Sequence, residues 1–106
     1  MVTRVQKLIR RLKHDDPLKR IHAGLLLGDM GAAAKDAVPT LLELLNGVHV
    51  TDRKLAALTL GYIGPWAAEA VPALRHALGD ADQVVRQFAA AALEKIHAPA
   101  GKDKAA

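Results

Sequence analysis

Residues 61–74 read GYIGPWAAEAVPAL, and residues 28–41 read GDMGAAAKDAVPTL. The two stretches align without a gap, thirty-three residues apart, and both keep Gly-x-x-Gly followed by Ala-Val-Pro. Periods of this length are typical of repeat proteins, in which each copy is one supersecondary unit. The stretch therefore predicts a repeat protein and sets the register in which the rest of the chain is compared.

Seven positions agree across three copies of the unit. These are Val5, Val38 and Val71; Leu8, Leu41 and Leu74; Leu12, Leu45 and Leu78; Arg20, Arg53 and Arg86; Ala23, Ala56 and Ala89; Leu27, Leu60 and Leu93; Met30, Ile63 and Ile96. Within each copy the apolar residues recur at i, i+3, i+4 and i+7, which is the spacing of one face of an α-helix. Each unit is long enough for two such helices, so the pattern predicts an all-α chain of about six helices.

Capping residues indicate where the helices of the first unit begin and end. Thr3 followed by Gln6 matches a capping box, which predicts the start of a first helix. Asp16 before Pro17 is typical of an N-cap followed by the first helical position, and Gly31 is placed to end this second helix.

The later units repeat the arrangement. In the second unit we expect a first helix from about Asp36 to Asn46 and a second helix with Thr51 as its N-cap. In the third unit Asp82 is the predicted N-cap of a helix that continues to about His97.

The chain is expected to form one domain of three repeats over residues 1–97. The units lie near residues 5–37, 38–70 and 71–97. Residues 98–106 contain proline and glycine without an apolar period, which predicts a flexible tail.

Residues 63–65 (Ile-Gly-Pro) and 70–74 (Ala-Val-Pro-Ala-Leu), together with Val85-Arg86, resemble the short HEAT-like repeats of the phycobilisome-lyase-type family. The resemblance implies a right-handed α-solenoid of three HEAT-like helix pairs. It also implies that Arg20, Arg53 and Arg86 form a structural ladder of hydrogen bonds between repeats. Most members resemble adaptors or scaffolds, and a minority attach or remove tetrapyrroles.

Composition and motifs favour a non-enzyme. The chain has no cysteine, which excludes a thiolate zinc site and a cysteine nucleophile. None of the five histidines has another at i+4, and no phosphate-binding loop or nucleophile elbow is present. We therefore expect no catalytic site, no metal and no cofactor. No apolar run reaches membrane-spanning length, so we expect a cytoplasmic protein without a membrane span.

The second helices of such stacks line the concave side, and this face carries several apolar residues here. The predicted partner-binding residues are Leu18, Ile21, Leu25, Lys54, Leu58, Tyr62 and Trp66. A register error of a third of a turn would instead place the leucines in the core. Trp66 is expected in a loop, either forming a binding hot spot with Tyr62 or covering the seam between layers.

The favoured hypothesis is a non-catalytic protein-interaction module or scaffold that binds another protein, or itself, through this concave face. The alternative is a tetrapyrrole accessory in which Lys54 or Arg53 would hold the propionates. Nucleic-acid binding ranks last, because the inner face offers only Lys54 and Lys95 and the basic excess lies in residues 1–20. The Ala-rich last helix has no further repeat to cover it, which predicts some self-association, most simply a two-fold dimer.

Overall fold

The computed structural model describes residues 1–97, and in that range all regular secondary structure is helical, with no strand. The α-helices are α1 (Arg4–Arg11), α2 (Pro17–Met30), α3 (Val38–Leu45), α4 (Val50–Ile63), α5 (Val71–Ala77) and α6 (Gln83–His97). Two 3-10 helices, Gly31–Ala37 and Gly64–Ala70, join α2 to α3 and α4 to α5. The prediction of an all-α chain of about six helices is confirmed. The predicted flexible tail lies outside the described residues.

Three helices begin at the capping residues that the sequence predicts. Thr3 Oγ1 accepts a hydrogen bond from the Gln6 N–H at 3.1 Å, and Gln6 Oε1 accepts one from the Thr3 N–H at 2.9 Å, which completes the capping box of α1. Asp16 Oδ1 accepts from the N–H of Leu18 at 3.0 Å, and Asp82 Oδ2 accepts from Val85 at 3.0 Å. Each cap satisfies backbone donors that the first turn of a helix leaves unpaired.

The predicted start of α4 is wrong. Helix α4 begins at Val50, so Thr51 lies in its first turn, and the N-cap is His49, whose side chain makes no capping hydrogen bond. The preceding turn is held by a side chain of the helix itself, because the Arg53 guanidinium donates to the carbonyl oxygens of Gly47 and Val48. A side-chain N-cap is therefore not what fixes this helix start.

The repeat junctions are 3-10 helices rather than loops or extensions of the α-helices. Gly31 and Gly64 have φ values of 54° and 71°, a backbone region that favours glycine and that turns the chain out of the preceding helix. The 3-10 segment after Gly64 contains Trp66, which was predicted to lie in a loop. The segment after Gly31 contains Asp36, so α3 begins two residues later than predicted, at Val38.

The core lies between the two layers of the stack. Helices α1, α3 and α5 form one layer, and α2, α4 and α6 form the other, with α4 in contact with both α2 and α6. Leu12, Leu27, Leu41, Leu60 and Leu74 are completely buried between the layers. They come from the positions at which the copies agree, so the repeat pattern is chiefly a pattern of core residues.

Two glycines bring α4 close to both of its neighbours. A Cβ atom added at Gly24 of α2 would lie 2.6 Å from Leu55 Cδ1, and one added at Gly61 of α4 would lie 3.1 Å from Ala92 Cα. Thr59 also donates a hydrogen bond to the Gly24 carbonyl oxygen at 3.2 Å. The second helices are thus in close contact at Gly24 and at Gly61.

Candidate partner-binding groove and arginine ladder

Arg20 and Arg53 connect successive repeats through their guanidinium groups. Arg20 Nε lies 3.0 Å from Asp52 Oδ1 in the second repeat. Arg53 Nε lies 2.9 Å from Asp80 Oδ2 in the third repeat, and its Nη2 donates to Asp80 Oδ1 at 3.2 Å. The pairing of Arg53 is bidentate, the geometry in which an arginine–carboxylate pair is strongest.

The same arginines also hold the turn before their own helix. Arg20 Nη1 donates to the carbonyl oxygens of His14 and Asp15 at 2.8 and 3.0 Å. Arg86 Nη1 donates to the carbonyl oxygen of Asp80, the residue whose carboxylate binds Arg53. We call Arg20, Arg53 and Arg86, with these acceptors, the arginine ladder. It runs along the turn end of the stack, which is the side where the turns before α2, α4 and α6 lie.

The ladder stabilises the charged form of Asp80. The hydrogen bond from Arg53 lowers the pKa of the Asp80 carboxyl below its ordinary value, and the backbone N–H of Asp82 lowers it further. Both donors stabilise the carboxylate rather than the carboxylic acid. The contact between the second and third repeats is therefore strongest when Asp80 is charged.

A groove of about 330 Å³ opens on the layer formed by the second helices. Its lining residues come from all three helices of that layer and are mostly apolar. They are Ile21 and Leu25 of α2, Thr51, Lys54, Leu55 and Leu58 of α4, and Phe88 of α6. We call this surface the second-helix groove.

Four of the residues predicted to bind a partner lie together in the second-helix groove: Ile21, Leu25, Lys54 and Leu58. Leu25 is 45% exposed and Leu58 is half-buried, so neither belongs to the buried core that a register error would have given. The remaining three predicted residues, Leu18, Tyr62 and Trp66, are exposed but do not line this groove. The Tyr62 ring is instead covered by Lys95, whose Nζ lies 4.3 Å from the ring centroid.

Sequence reasoning missed Thr51, Leu55 and Phe88 as groove residues. Leu55 and Phe88 occupy the same position of successive repeats, thirty-three residues apart. Leu55 is a buried lining residue that packs directly against Gly24, where an added Cβ atom would lie 2.6 Å from Leu55 Cδ1. In the first repeat the position of Leu55 and Phe88 is held by His22, so no agreement between the copies marks it as apolar.

A larger cavity of about 600 Å³ lies at the turn end between the first two repeats, and it differs from the groove in that many of its lining side chains are charged. Its lining includes Lys13, His14, Asp15, Arg20, His49 and Asp52. The central charges already pair with each other, since Arg20 binds Asp52. Residues of the arginine ladder therefore line this cavity together with the apolar residues Leu12, Pro17 and Leu44.

Of the two cations named for the tetrapyrrole hypothesis, Lys54 lines the second-helix groove and Arg53 does not. The Arg53 guanidinium is occupied by Asp80 and by the carbonyl oxygens of the turn, which leaves Lys54 as the cation at the groove. Within residues 1–97 no group of three or more histidine, aspartate or glutamate side chains is placed to hold a metal ion. No helix in the same range is long and apolar enough to cross a membrane.

A family model described as HEAT repeats matches residues 45–106, which is more than half of the chain. No curated protein matches the sequence. The match extends from the end of α3 through the second and third repeats, and so includes α4 and α6 of the groove. It does not address the phycobilisome-lyase-type subgroup, which stays a prediction.

Proposed function

Because the chain belongs to the HEAT-repeat family, we propose that it is a non-catalytic module that binds another protein through the second-helix groove. HEAT repeats generally mediate protein–protein interaction or scaffolding. The proposal for this chain adds the surface: the groove lined by Ile21, Leu25, Leu58 and Phe88.

The observation that carries the proposal is the exposure of apolar side chains from α2, α4 and α6 at one place. Leu25 leaves 45% of its surface exposed beside the partly exposed Ile21, Leu58 and Phe88. A concave surface lined mostly by apolar side chains is the default candidate for a binding site. Burying these side chains against a partner would contribute the hydrophobic free energy that they do not gain in the isolated chain.

The size of the groove favours protein side chains over a pigment. Ligand pockets for small molecules commonly measure about 300–1,000 Å³, and a groove of about 330 Å³ lies at the lower limit. It offers one cation, Lys54, for the two propionates of a tetrapyrrole. We therefore place the tetrapyrrole accessory second.

The test is a pull-down from the source cell extract with four proteins: wild type, Leu25→Glu, Leu58→Glu and Leu78→Glu. Leu78 is the matched control, because it is a leucine of nearly equal exposure, 43% against 45% for Leu25, that lies outside the groove. We expect the groove variants to lose a partner that wild type and Leu78→Glu both retain. Circular dichroism checks that every variant keeps its helical content.

Equal capture by all four proteins would contradict the proposal. A partner lost with Leu78→Glu but kept with Leu25→Glu would move the binding site to the other layer. Light scattering of the same proteins tests self-association through the groove. If the groove binds a second copy of the chain, wild type forms dimers and Leu25→Glu does not.

A further inference from the structure

We propose that the chain forms a two-fold dimer in which α6 packs antiparallel against α6 of a second copy. Two reciprocal ion pairs would hold the dimer, each between Arg86 of one copy and Glu94 of the other. We call the line of Arg86, Ala90 and Glu94 along α6 the end face of the stack. The inference does not rest on the second-helix groove, because Phe88, the groove residue of α6, lies about 160° around the helix from Ala90.

The first repeat identifies this line as the one that faces a neighbouring helix. In α2 the line is Arg20, Gly24 and Gly28, and all three contact α4. An added Cβ atom would lie 2.6 Å from Leu55 Cδ1 at Gly24 and 3.1 Å from Tyr62 Cβ at Gly28. The equivalent residues two repeats later are Arg86, Ala90 and Glu94.

The end face is uncovered, although earlier repeats bury the same positions. Ala90 is exposed, whereas its equivalent Ala57 is completely buried. Leu93 beside it is half-buried, whereas Leu27 and Leu60 are completely buried. In the part of the chain that the structure describes, no helix lies beyond α6. The third repeat therefore ends in a surface of the kind that the chain elsewhere packs against a helix.

Arg86 keeps a donor that the earlier arginines of the ladder use. Arg20 and Arg53 each bind a carboxylate of the following repeat through Nε. Arg86 holds its own turn through Nη1, but no carboxylate within residues 1–97 forms an ion pair with it. Glu94 is exposed and is likewise in none of the ion pairs formed over that range. The end face thus carries one cation and one anion, each without a counter-charge among the described residues.

The end face is complementary to itself under a two-fold rotation. Arg86 and Glu94 lie four residues to either side of Ala90, so each stands about 6 Å from it along the helix axis. An antiparallel copy centred on Ala90 therefore brings a glutamate to each arginine. Reciprocal contacts of this kind define a two-fold interface, and the alanine at the centre allows the two helices to approach closely.

A parallel helix that continues the stack fits this surface less well. Where α2 and α4 have Gly28 and Gly61, α6 has Glu94. At Gly61 even an added Cβ atom would lie 3.1 Å from Ala92 Cα of the next helix. A glutamate at this position would keep a helix packed in the same way at a distance, whereas the antiparallel copy gives it an arginine. The contact therefore closes at two copies.

The experiment is sedimentation equilibrium of the whole chain as wild type, Arg86→Glu, Glu94→Arg and the double variant that carries both changes. We expect wild type to dimerise with a Kd of about 1–100 µM, because one helix pair buries less surface than a standard interface. Each single variant places like charges opposite each other twice and should dimerise at least about tenfold more weakly. The double variant should return to within about threefold of wild type.

A mixture of the two single variants tests the pairing directly. One then carries arginine at both positions and the other carries glutamate at both, so we expect a heterodimer from two proteins that do not self-associate. Because Arg86→Glu also removes a turn contact, circular dichroism checks its fold, and Ala90→Glu provides a second test that leaves the ladder intact. Ala91→Glu is its matched control, since Ala91 is an equally exposed alanine about 100° further around α6. Ala90→Glu should dissociate the dimer and Ala91→Glu should not.

Four results would overturn the inference. A wild type that stays monomeric at about 1 mM would reject the dimer. A dimer that Leu25→Glu dissociates and Glu94→Arg does not would place the second copy in the second-helix groove. A dimer that none of the end-face variants weakens would reject the α6 contact. Failure of both the double variant and the mixture to restore dimerisation would reject the pairing of Arg86 with Glu94.

Discussion

Arg53 forms the central contact of the arginine ladder and connects the second repeat to the third. Its guanidinium binds the Asp80 carboxylate through two nitrogens and the turn carbonyls of Gly47 and Val48 through a third. The side chains of Arg53 and Asp80 are only 18% and 13% exposed. Removing one partner leaves the charge of the other partly buried and without a counter-charge. This costs more free energy than the intact pair contributes.

We expect Arg53→Met to lower the free energy of unfolding by about 2–3 kcal/mol. Methionine keeps the unbranched stem and removes the donors. Urea unfolding followed by circular dichroism measures the change. Lys13→Met is the matched control, because Lys13 pairs with Glu43 at side-chain exposures of 59% and 65% and should change stability by less than about 1 kcal/mol. Equal losses in both variants would show that the ladder contributes no more than an ordinary surface pair.

The lowered pKa of Asp80 predicts an acid-dependent contribution to stability. The group contributes fully above the ordinary value of 3.8, and its contribution is lost as the pH falls through its lower value in the folded chain. In that window the unfolded chain binds the proton more tightly, so acid favours unfolding. We expect Asp80→Asn to be less stable than wild type at neutral pH and to show a shallower decline in urea midpoint below pH 3.8. Parallel pH profiles for the two proteins would contradict the assignment.

At the residue scale, the sequence identifies the donors of the ladder but not the acceptors. The arginines occupy one position of all three repeats, whereas Asp52 and Asp80 occupy different positions. The position of Asp52 is held by Lys19 in the first repeat, and that of Asp80 by His14. A search for agreement between copies therefore passes over the carboxylates, which only the packing of successive turns brings to the arginines.

At the scale of the helices, α4 depends on close approach to both neighbours. Gly61 faces Ala92 of α6, and Gly24 of α2 faces Leu55 of α4. The equivalent of Gly61 in α6 is Glu94, which is exposed. Within residues 1–97, α6 has no following helix to meet at this position, so a side chain is tolerated there and not in α4.

We expect Gly61→Ala to destabilise the chain by about 1–2 kcal/mol, although alanine favours a helix over glycine by about 1 kcal/mol. The added methyl group would lie 3.1 Å from the backbone Cα of Ala92, which cannot move without shifting α6. Thermal and urea unfolding measure the effect. Gly79→Ala is the control, since the nearest atom to its added Cβ lies 3.6 Å away and its φ is not positive. A stabilised Gly61→Ala variant would mean that the two helices can separate at little cost.

Helix positions were predictable where a side chain caps the helix, as at Thr3, Asp16 and Asp82. The start of α4 was not, because Arg53 holds the preceding turn by a contact from within the helix. The groove was predictable in part, since apolar residues at Ile21, Leu25 and Leu58 break the polar pattern of an exposed helix face. Phe88 was missed because its repeat equivalents, His22 and Leu55, differ in character and do not form a recognisable apolar position.

At the scale of the whole molecule, the two layers have different roles. The layer of α1, α3 and α5 covers the core, and the layer of α2, α4 and α6 combines tight packing at Gly24 and Gly61 with an open groove between its helices. In a repeat stack, stability is carried by contacts between neighbours. The buried leucines and the ladder therefore maintain the fold.

The ladder also bears on filament growth. A stack of identical repeats has two unlike ends, and a head-to-tail contact between copies does not close on itself and can extend without limit. If a second copy continued the stack in register after Arg86, the residues standing where Asp52 and Asp80 receive the earlier arginines would be Lys19 and His14. Arg86 would then meet a lysine and a histidine instead of a carboxylate, and the basic helix α1 would add to the repulsion. The irregular positions of Asp52 and Asp80 in the repeat therefore disfavour head-to-tail growth in this register.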